Sequence, residues 1–445
     1  MKRYQYLDGQ EIKTAMIKKM VSMKKHIGIS LIGMAFCGLL MSLNTVCTAR
    51  PHTTTAARAV RWHGLTVNPQ GIVEKDGQPY RGIGANFPGA LLRLLVNPDD
   101  PSVPRDFKEL EAYHIPFVRF PALAAWGTPA QCRTYINKMY YHHPVRYFDA
   151  MDKLCAIANK YHVGLIPSLF FTRWANALSG ESGMRPWNNP QSRTYRIWTH
   201  YTIQMVTRYE HNPAIWGWEM GNEFNLDMDL PDAAQDFSGY KPAWDYTHAQ
   251  MWKLYARFVH LVRQYDPYHI IEAGNSRPRG NSWHNMRYHM KYHARKKDAP
   301  VQWAYRRNGP TWAYMKYHAW KKDTSAQWAY MLKRDNAAFD IICVHEYGVQ
   351  APANIARVAA LAAGWHKPVF VGEFGASGAP AQSRKLFTAI LGSILKAKVP
   401  LAAVWAFDKP AQTVANNDYS ITPTNDRRFM LRAIEAANIK LRAER

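Results

Sequence analysis

Residues 214–225 read AIWGWEMGNEFN: a short apolar strand, a break at Gly221, and then Asn222 and Glu223 side by side. A carboxylate at the end of a buried strand is costly unless it has a role. In barrels of alternating strands and helices, catalytic groups lie at the C-terminal ends of the strands. The segment therefore predicts a strand that presents a functional carboxylate.

A second segment of the same kind follows at residues 367–378, KPVFVGEFGASG, where Glu373 ends an apolar strand. Cleavage of a glycosidic bond needs two carboxylates, one as acid/base and one as its partner. Glu223 and Glu373 are therefore the candidate catalytic pair.

The rest of the chain alternates apolar runs with amphipathic helical patterns. Eight strands are predicted at 81–87, 115–122, 163–171, 216–223, 269–275, 339–347, 367–374 and 400–408. The clearest helical patterns lie at 147–161, 195–209, 244–265, 354–365, 384–398 and 426–443. Sequential strand–helix pairs of this size give parallel strands with right-handed crossovers. The predicted fold is α/β, a single (β/α)8 TIM barrel, with an Asp76-Gly77 hairpin closing its lower end.

The front of the chain has the pattern of a signal peptide. Four lysines at positions 18 to 25 precede an uncharged stretch at 27–43, and Cys47-Thr48-Ala49 offers a cleavage site. We expect residues 1–49 to be a signal peptide, 50–63 a linker and 64–445 the catalytic domain, in a secreted or periplasmic protein. An uncleaved membrane anchor is the alternative, since 17 apolar residues lie at the lower edge of spanning length.

Composition excludes several classes of protein. With 445 residues and 47% hydrophobic content, the chain can bury the core of one large domain. Only Cys132, Cys155 and Cys343 lie outside the leader, without the spacing of a zinc site or a disulfide framework. Cys155 and Cys343 are predicted to be core thiols. No metal-ligand spacing and no glycine-rich phosphate loop is present, so we expect no cofactor and no metal.

The stretch between the fifth and sixth strands is strongly basic and partly duplicated. KYHARKKDAPVQWAY at 291–305 recurs as KYHAWKKDTSAQWAY at 316–330, with 11 of 15 positions identical. Residues 281–335 hold twelve Lys/Arg and three Asp, a net charge of +9 out of the chain's +24. We interpret them as a duplicated basic, aromatic-rich loop on the surface, inserted after strand five. Its alternatives are binding of nucleic acid, of sugar faces or of an acidic polysaccharide.

Four motifs together resemble a known family. WEMGNE at 218–223, HEY at 345–347, GEF at 372–374 and Trp405 on the last strand are similar to the clan A retaining glycoside hydrolases, most closely the cellulase-like glycoside hydrolase family 5. The resemblance spans about residues 64 to 443. The chain departs from the family pattern at Phe224, where proline is frequent, and at the end of strand three, where SLFF replaces the usual histidine.

The resemblance implies roles for individual residues. Glu223 would be the general acid/base, with a pKa raised by burial or by neighbouring negative charge, and Glu373 the nucleophile. Binding and supporting roles would fall to Arg119, Asn222, His345, Tyr347 and Trp405.

Nearby residues have structural interpretations. Glu219 is expected to be a buried, hydrogen-bonded carboxylate, and Glu346 to point away from the cleft because side chains alternate along a strand. Trp174, Trp187 and Phe224 are candidate sugar platforms.

These features predict a secreted retaining β-glycosidase that hydrolyses a β-1,4-linked glucan or mannan by a two-glutamate double displacement. Its expected partner is a polysaccharide or oligosaccharide, with no nucleic acid, no stable membrane insertion after signal cleavage, and a monomeric state. Two other classes compete: a non-catalytic carbohydrate-binding barrel, and a polyanion binder built around 281–335.

Overall fold

The computed structural model describes residues 63–123, 135–171, 179–181, 184–229, 246–287, 321–408 and 419–444. All of these belong to one compact unit, Val60–Arg445. The predicted signal peptide, Cys132, Trp174 and the first copy of the repeat lie outside the described residues.

Eight parallel strands form the central sheet, as predicted. They are β4 (Gly82–Asn86), β5 (Phe117–Pro121), β6 (Gly164–Phe171), β7 (Gly217–Asn222), β8 (Ile270–Glu272), β9 (Ile342–Tyr347), β10 (Val369–Gly375) and β11 (Leu401–Val404). Their order is β8-β7-β6-β5-β4-β11-β10-β9, the sequential order of a TIM barrel with its ends at β8 and β9. The (β/α)8 prediction is confirmed.

A seam lies between β8 and β9, the two strands at the ends of that order. Asp340, just before β9, joins them: its backbone N–H donates to the Ile271 carbonyl at 3.0 Å. Its carboxylate accepts the Ile271 N–H at 2.6 Å. The long connection from β8 to β9 therefore begins and ends at the seam of the barrel.

The helices of the described residues surround the sheet. They are α1 (Ala90–Val96), α2 (Ser102–Ala112), α3 (Tyr135–His142), α4 (Pro144–Lys160), α5 (Arg193–Tyr209), α6 (His248–Arg263), α7 (Ser325–Asp335), α8 (Ala351–Ala363), α9 (Pro380–Lys396) and α10 (Arg428–Ala443). Their apolar faces pack on the strands in one large hydrophobic cluster, which also holds Cys155.

A smaller apolar cluster fills the lower end of the barrel. A three-stranded sheet, β1 (Leu65–Val67), β2 (Val73–Lys75) and β3 (Gln78–Pro79), covers it from below. Trp216 packs edge-on against Tyr80 at 5.7 Å between ring centroids, and Cys343 is buried in the same cluster. The predicted closing hairpin and both core thiols are confirmed.

The predicted loop 281–335 extends too far. Residues Ser325–Asp335 form helix α7, which begins with a capping box between Thr324 and Gln327. Trp328, Met331 and Leu332 form its buried face. The second repeat thus runs into a barrel helix, and its apolar residues at three- and four-residue spacing belong to the core.

Among the described residues, no helix is both long enough and apolar enough to span a bilayer. The segment 27–43 lies outside that part of the chain.

Candidate active site

Glu223 lies directly after β7 with an unusual backbone. Its φ is +52°, in the left-handed region that non-glycine residues seldom adopt. Its backbone N–H donates to the Gly274 carbonyl at 2.7 Å. Gly274 has a φ of +66°, and a Cβ atom there would lie 1.6 Å from the Gly221 carbonyl oxygen. Only glycine fits beside this turn, so Gly274 determines where Glu223 projects.

Glu373 lies within β10 and faces the same cleft. Arg119 donates from Nη1 to its Oε1 at 2.8 Å. The Tyr347 hydroxyl donates to its Oε2 at 2.7 Å. Two donors from two other strands therefore hold this carboxylate in the orientation that the resemblance implies.

Arg119 is the centre of the polar network. It is buried, and it donates to both oxygens of Glu219. It also donates to Asn222 Oδ1 at 2.6 Å and to Asn86 Oδ1 at 2.8 Å. Glu219 is thus the buried, hydrogen-bonded carboxylate that was predicted, and Arg119 links β4, β5, β7 and β10 through side chains.

His345 lies between the two candidate catalytic carboxylates. Its Nδ1 is 3.0 Å from Glu223 Oε1 and 3.5 Å from Glu373 Oε2. The three side chains each bring one ligand atom to within 4.8 Å of the others. The same atoms could surround a metal ion, although a pair of carboxylates at this separation also suits covalent glycoside chemistry without one.

The two carboxylates differ in their access to solvent. The Glu223 side chain is 27% exposed, whereas that of Glu373 is 8% exposed. Glu223 is therefore the carboxyl that more readily exchanges protons with water.

The electrostatics of Glu223 differ from the expectation. Burial acts to raise its pKa, but the hydrogen bond and charge of His345, with Arg119 beyond, leave the pKa lowered. The expected raised pKa is wrong for the free protein because a donor faces the carboxylate. On the Glu373 side, burial and the adjacent carboxylate raise the pKa of Tyr347, so it stays a hydrogen-bond donor.

Trp405 follows β11, and its backbone N–H donates to the Phe374 carbonyl at 2.8 Å. Together with Arg119 and Asn222 it lines a small cavity at the cleft. All seven residues predicted for the site therefore meet at the C-terminal ends of the strands.

The predicted sugar platforms do not line the cleft where the structure describes them. Trp187 and Phe224 are fully buried, so neither offers a ring face to a ligand. Trp187 packs against Phe170 and Phe224 in the core outside the strands. Glu346 is also buried, and it accepts from Asn354 on α8 at 3.0 Å, which confirms that it points away from the cleft.

Two site residues were not found from the sequence. Asn86, at the end of β4, binds Arg119 and donates to the Gly372 carbonyl at 2.9 Å. Glu272, at the end of β8, pairs in register with Glu219. A polar residue ending a predicted apolar strand is the signal common to both, and it was available in GIGAN and HIIEAGN.

No family model and no curated protein sequence matches the chain. Solved structures do match in fold. An endo-1,4-β-mannanase from Rhizomucor miehei has a TM-score of 0.58 at 15% identity, covering 85% of this chain and 100% of that one. A glycoside hydrolase family 5 mannosidase from the same organism has a TM-score of 0.58 at 12% identity, covering 86% and 99%. An exo-β-1,4-mannosidase from Opitutaceae bacterium strain TAV5 has a TM-score of 0.55 at 14% identity, covering 84% and 63%.

The chain has the barrel fold of these glycoside hydrolases. At identities this low, the similarity establishes the fold, and the activity has to be argued from the site.

Proposed function

We propose that the protein is a retaining β-glycosidase of the glycoside hydrolase family 5 type. The observation that carries the proposal is the pair Glu223 and Glu373, with oxygen atoms within 4.8 Å at the C-terminal ends of β7 and β10. Retaining glycosidases hold their two carboxyl groups about 5 to 5.5 Å apart, whereas inverting enzymes need about 6.5 to 9.5 Å to admit a water.

In this mechanism Glu373 is the nucleophile. It attacks the anomeric carbon as the bond to the leaving oxygen breaks, and a covalent glycosyl ester forms. The Arg119 guanidinium and the Tyr347 hydroxyl, at 2.8 and 2.7 Å, stabilise its negative charge before attack. Their positions are set by separate strands, so no reorganisation is needed at the moment of reaction.

Glu223 is the acid/base. It protonates the leaving oxygen and then deprotonates the water that releases the sugar. In the free site His345 favours the ionised form, but its Nδ1 lies only 3.5 Å from Glu373 Oε2. Burial acts in the opposite direction on the pKa of Glu223, and a sugar that covers the cleft would strengthen it and favour the protonated form.

The remaining side chains bind the sugar. Asn222 has its amide oxygen bound by Arg119, which directs its N–H donors to the 2-hydroxyl of the reacting sugar. Trp405 offers an apolar ring to the C–H face of the pyranose. Two of the matched structures are named for cleavage of a β-1,4-mannan or β-1,4-mannoside and the third as a mannosidase, which favours a β-1,4-mannan over a glucan as substrate.

The test is release of reducing sugar from β-mannan, β-glucan and xyloglucan by the full chain beside its Glu373→Ala variant. We expect release from β-mannan by the parent alone. Matched circular dichroism and melting temperatures would show that both proteins are folded.

No release from any polymer by the folded parent would contradict the proposal and favour a binding role. Binding without hydrolysis is then measured directly by retention on insoluble mannan. Secretion is tested separately, by N-terminal sequencing of the protein recovered outside the cell.

A further inference from the structure

Glu272 is a buried carboxyl group that the proposed mechanism does not use. It ends β8 beside Glu219 on β7, is 2% exposed, and shares the interior of the barrel with Arg119. One of its oxygens, Oε2, accepts the Gly274 N–H at 2.5 Å. The other, Oε1, is buried and has no hydrogen-bond donor among the described residues.

An ionised carboxylate with an orphaned buried oxygen is expensive. The number of carboxylates around Arg119 raises that cost further. Glu219, Glu272 and Glu373 all surround the Arg119 guanidinium, whose donors are already divided among Glu219, Glu373 and two amide oxygens. Three ionised carboxylates on one guanidinium would leave two uncompensated charges in a space from which water is excluded.

We propose that Glu272 carries a proton in the working protein and acts as a positioning residue that couples the two catalytic carboxylates. The inference rests on the proposed function for the catalytic roles alone. The proton on Oε1 is donated to Glu219, the in-register neighbour that holds Arg119 and, through it, Glu373. The opposite oxygen holds the Gly274 N–H, and the Gly274 carbonyl accepts the backbone N–H of Glu223.

The surroundings agree with a neutral acid. Burial and the adjacent Glu219 raise the pKa of Glu272 well above its ordinary value, while Arg119 and the Gly274 N–H oppose the rise. Correspondingly, Arg119 and the hydrogen bond from Glu272 lower the pKa of Glu219 against the effect of burial. The Cys343 thiol also faces Glu272, and burial followed by the two glutamates raises its pKa, so it adds no charge.

Infrared spectroscopy tests the proton directly. The spectrum of the full chain at pH 7 should contain a protonated-carboxyl C=O band that is absent from Glu272→Gln. The band should persist to alkaline pH in the parent. In Glu219→Gln it should be lost at lower pH, because that variant removes the neighbouring carboxylate. The proposal would be overturned if the parent and Glu272→Gln had the same protonated-carboxyl bands.

Kinetics test the positioning role. Gln keeps an N–H donor and a carbonyl acceptor in the place of a protonated acid, so Glu272→Gln should retain kcat within about threefold. Glu272→Met has a similar volume and neither contact, and its kcat should fall by about tenfold to a hundredfold, as expected for lost hydrogen bonds to charged groups. Equal losses in the two variants, with both folded by circular dichroism, would refute positioning by a neutral acid.

The two proposals fail in different ways. An inactive parent with an intact carboxyl band would remove the glycosidase assignment and leave the buried proton. An active parent without the band would remove the buried proton and leave the glycosidase assignment.

Discussion

Glu223 and Glu373 face one cleft, but the protein holds them by different means. Glu373 lies within β10, paired in register with His345, and takes two side-chain donors at 2.7 and 2.8 Å. Glu223 lies past the end of β7 on a left-handed residue, and its side chain is more than three times as exposed. Under the proposed roles, the strand keeps the charge of the nucleophile in place, whereas the turn gives the acid/base access to solvent.

Substrates with different leaving groups should separate the roles of Glu223 and Glu373 most clearly. For Glu223→Gln, hydrolysis of mannan should fall by about a hundredfold to ten-thousandfold, the usual contribution of a general acid. On a dinitrophenyl glycoside, whose leaving group departs without protonation, the formation of the glycosyl ester should be nearly unaffected. Glu373→Gln should abolish both reactions, because no ester can form. Burst kinetics with the dinitrophenyl substrate check this directly.

The assignment of the two roles is reversed if Glu373→Gln keeps the burst while Glu223→Gln loses it. Glu435→Gln, a change on the outer helix α10, serves as the control and should match the parent on both substrates.

A smaller effect is expected from the turn that carries Glu223. Gly274→Ala places a methyl group 1.6 Å from the Gly221 carbonyl and strains a residue with φ of +66°, so the turn must move. Misplacement of a catalytic group by about 1 Å can cost on the order of a hundredfold in rate. We expect kcat on mannan to fall by about that amount. The added methyl group also lies 2.7 Å from the Glu219 carboxyl group, which holds Arg119.

Gly280→Ala is the matched control for this prediction. Gly280 lies in the same connection after β8, and a Cβ atom there meets nothing within 4 Å. The activity of Gly280→Ala should equal that of the parent. If Gly274→Ala were as active as Gly280→Ala, the backbone of Glu223 would not depend on Gly274.

The sequence predicted the strands and the two carboxylates because both depend on local pattern. An apolar run that ends in Glu marks a strand and its candidate functional end, and this pattern located Glu223 and Glu373, whereas Arg119 was identified from the family resemblance. Glu272 has the same local pattern, but its significance arises only from Glu219 beside it in the sheet. A pairing between strands about 50 residues apart is not visible in either strand alone.

Other errors have similar physical causes. Trp187 and Phe224 look like sugar platforms in the sequence because an aromatic residue after a strand can face either the cleft or the helices. Here both rings lie in the core on the helix side of the strands and pack together. Helix α7 lies within the stretch that the sequence predicts to be a loop, because its first turns repeat an earlier basic segment, although Trp328, Met331 and Leu332 have helical spacing. The lowered pKa of Glu223 depends on His345, 122 positions away in the chain.

The smallest expected effect concerns the strand that serves both carboxylates. In β9, His345 and Tyr347 face the cleft, and Glu346 between them is buried on the opposite side, with Arg277 at 3.5 Å. Burial raises the pKa of Glu346 from 4.5 to about 7, against the hydrogen bond from Asn354 and the charge of Arg277. Between these values the folded protein binds more protons than the unfolded chain, so stability must fall as pH rises.

Glu346→Gln should remove that dependence. At about 1.4 kcal/mol per pH unit, the parent should lose about 3 kcal/mol of unfolding free energy between pH 4.5 and pH 7 that the variant keeps. Urea unfolding of both proteins across this range measures the difference, with the exposed Glu111→Gln as the control that should follow the parent. Parallel curves for the parent and Glu346→Gln would contradict the prediction.

Because Glu346 contacts neither Glu223 nor Glu373, the pH–rate profile of hydrolysis should stay unchanged in the same variant. A shift in that profile would mean that the two faces of β9 are coupled, and that the difference between the two carboxylates depends on charge behind the strand as well as on donors in the cleft.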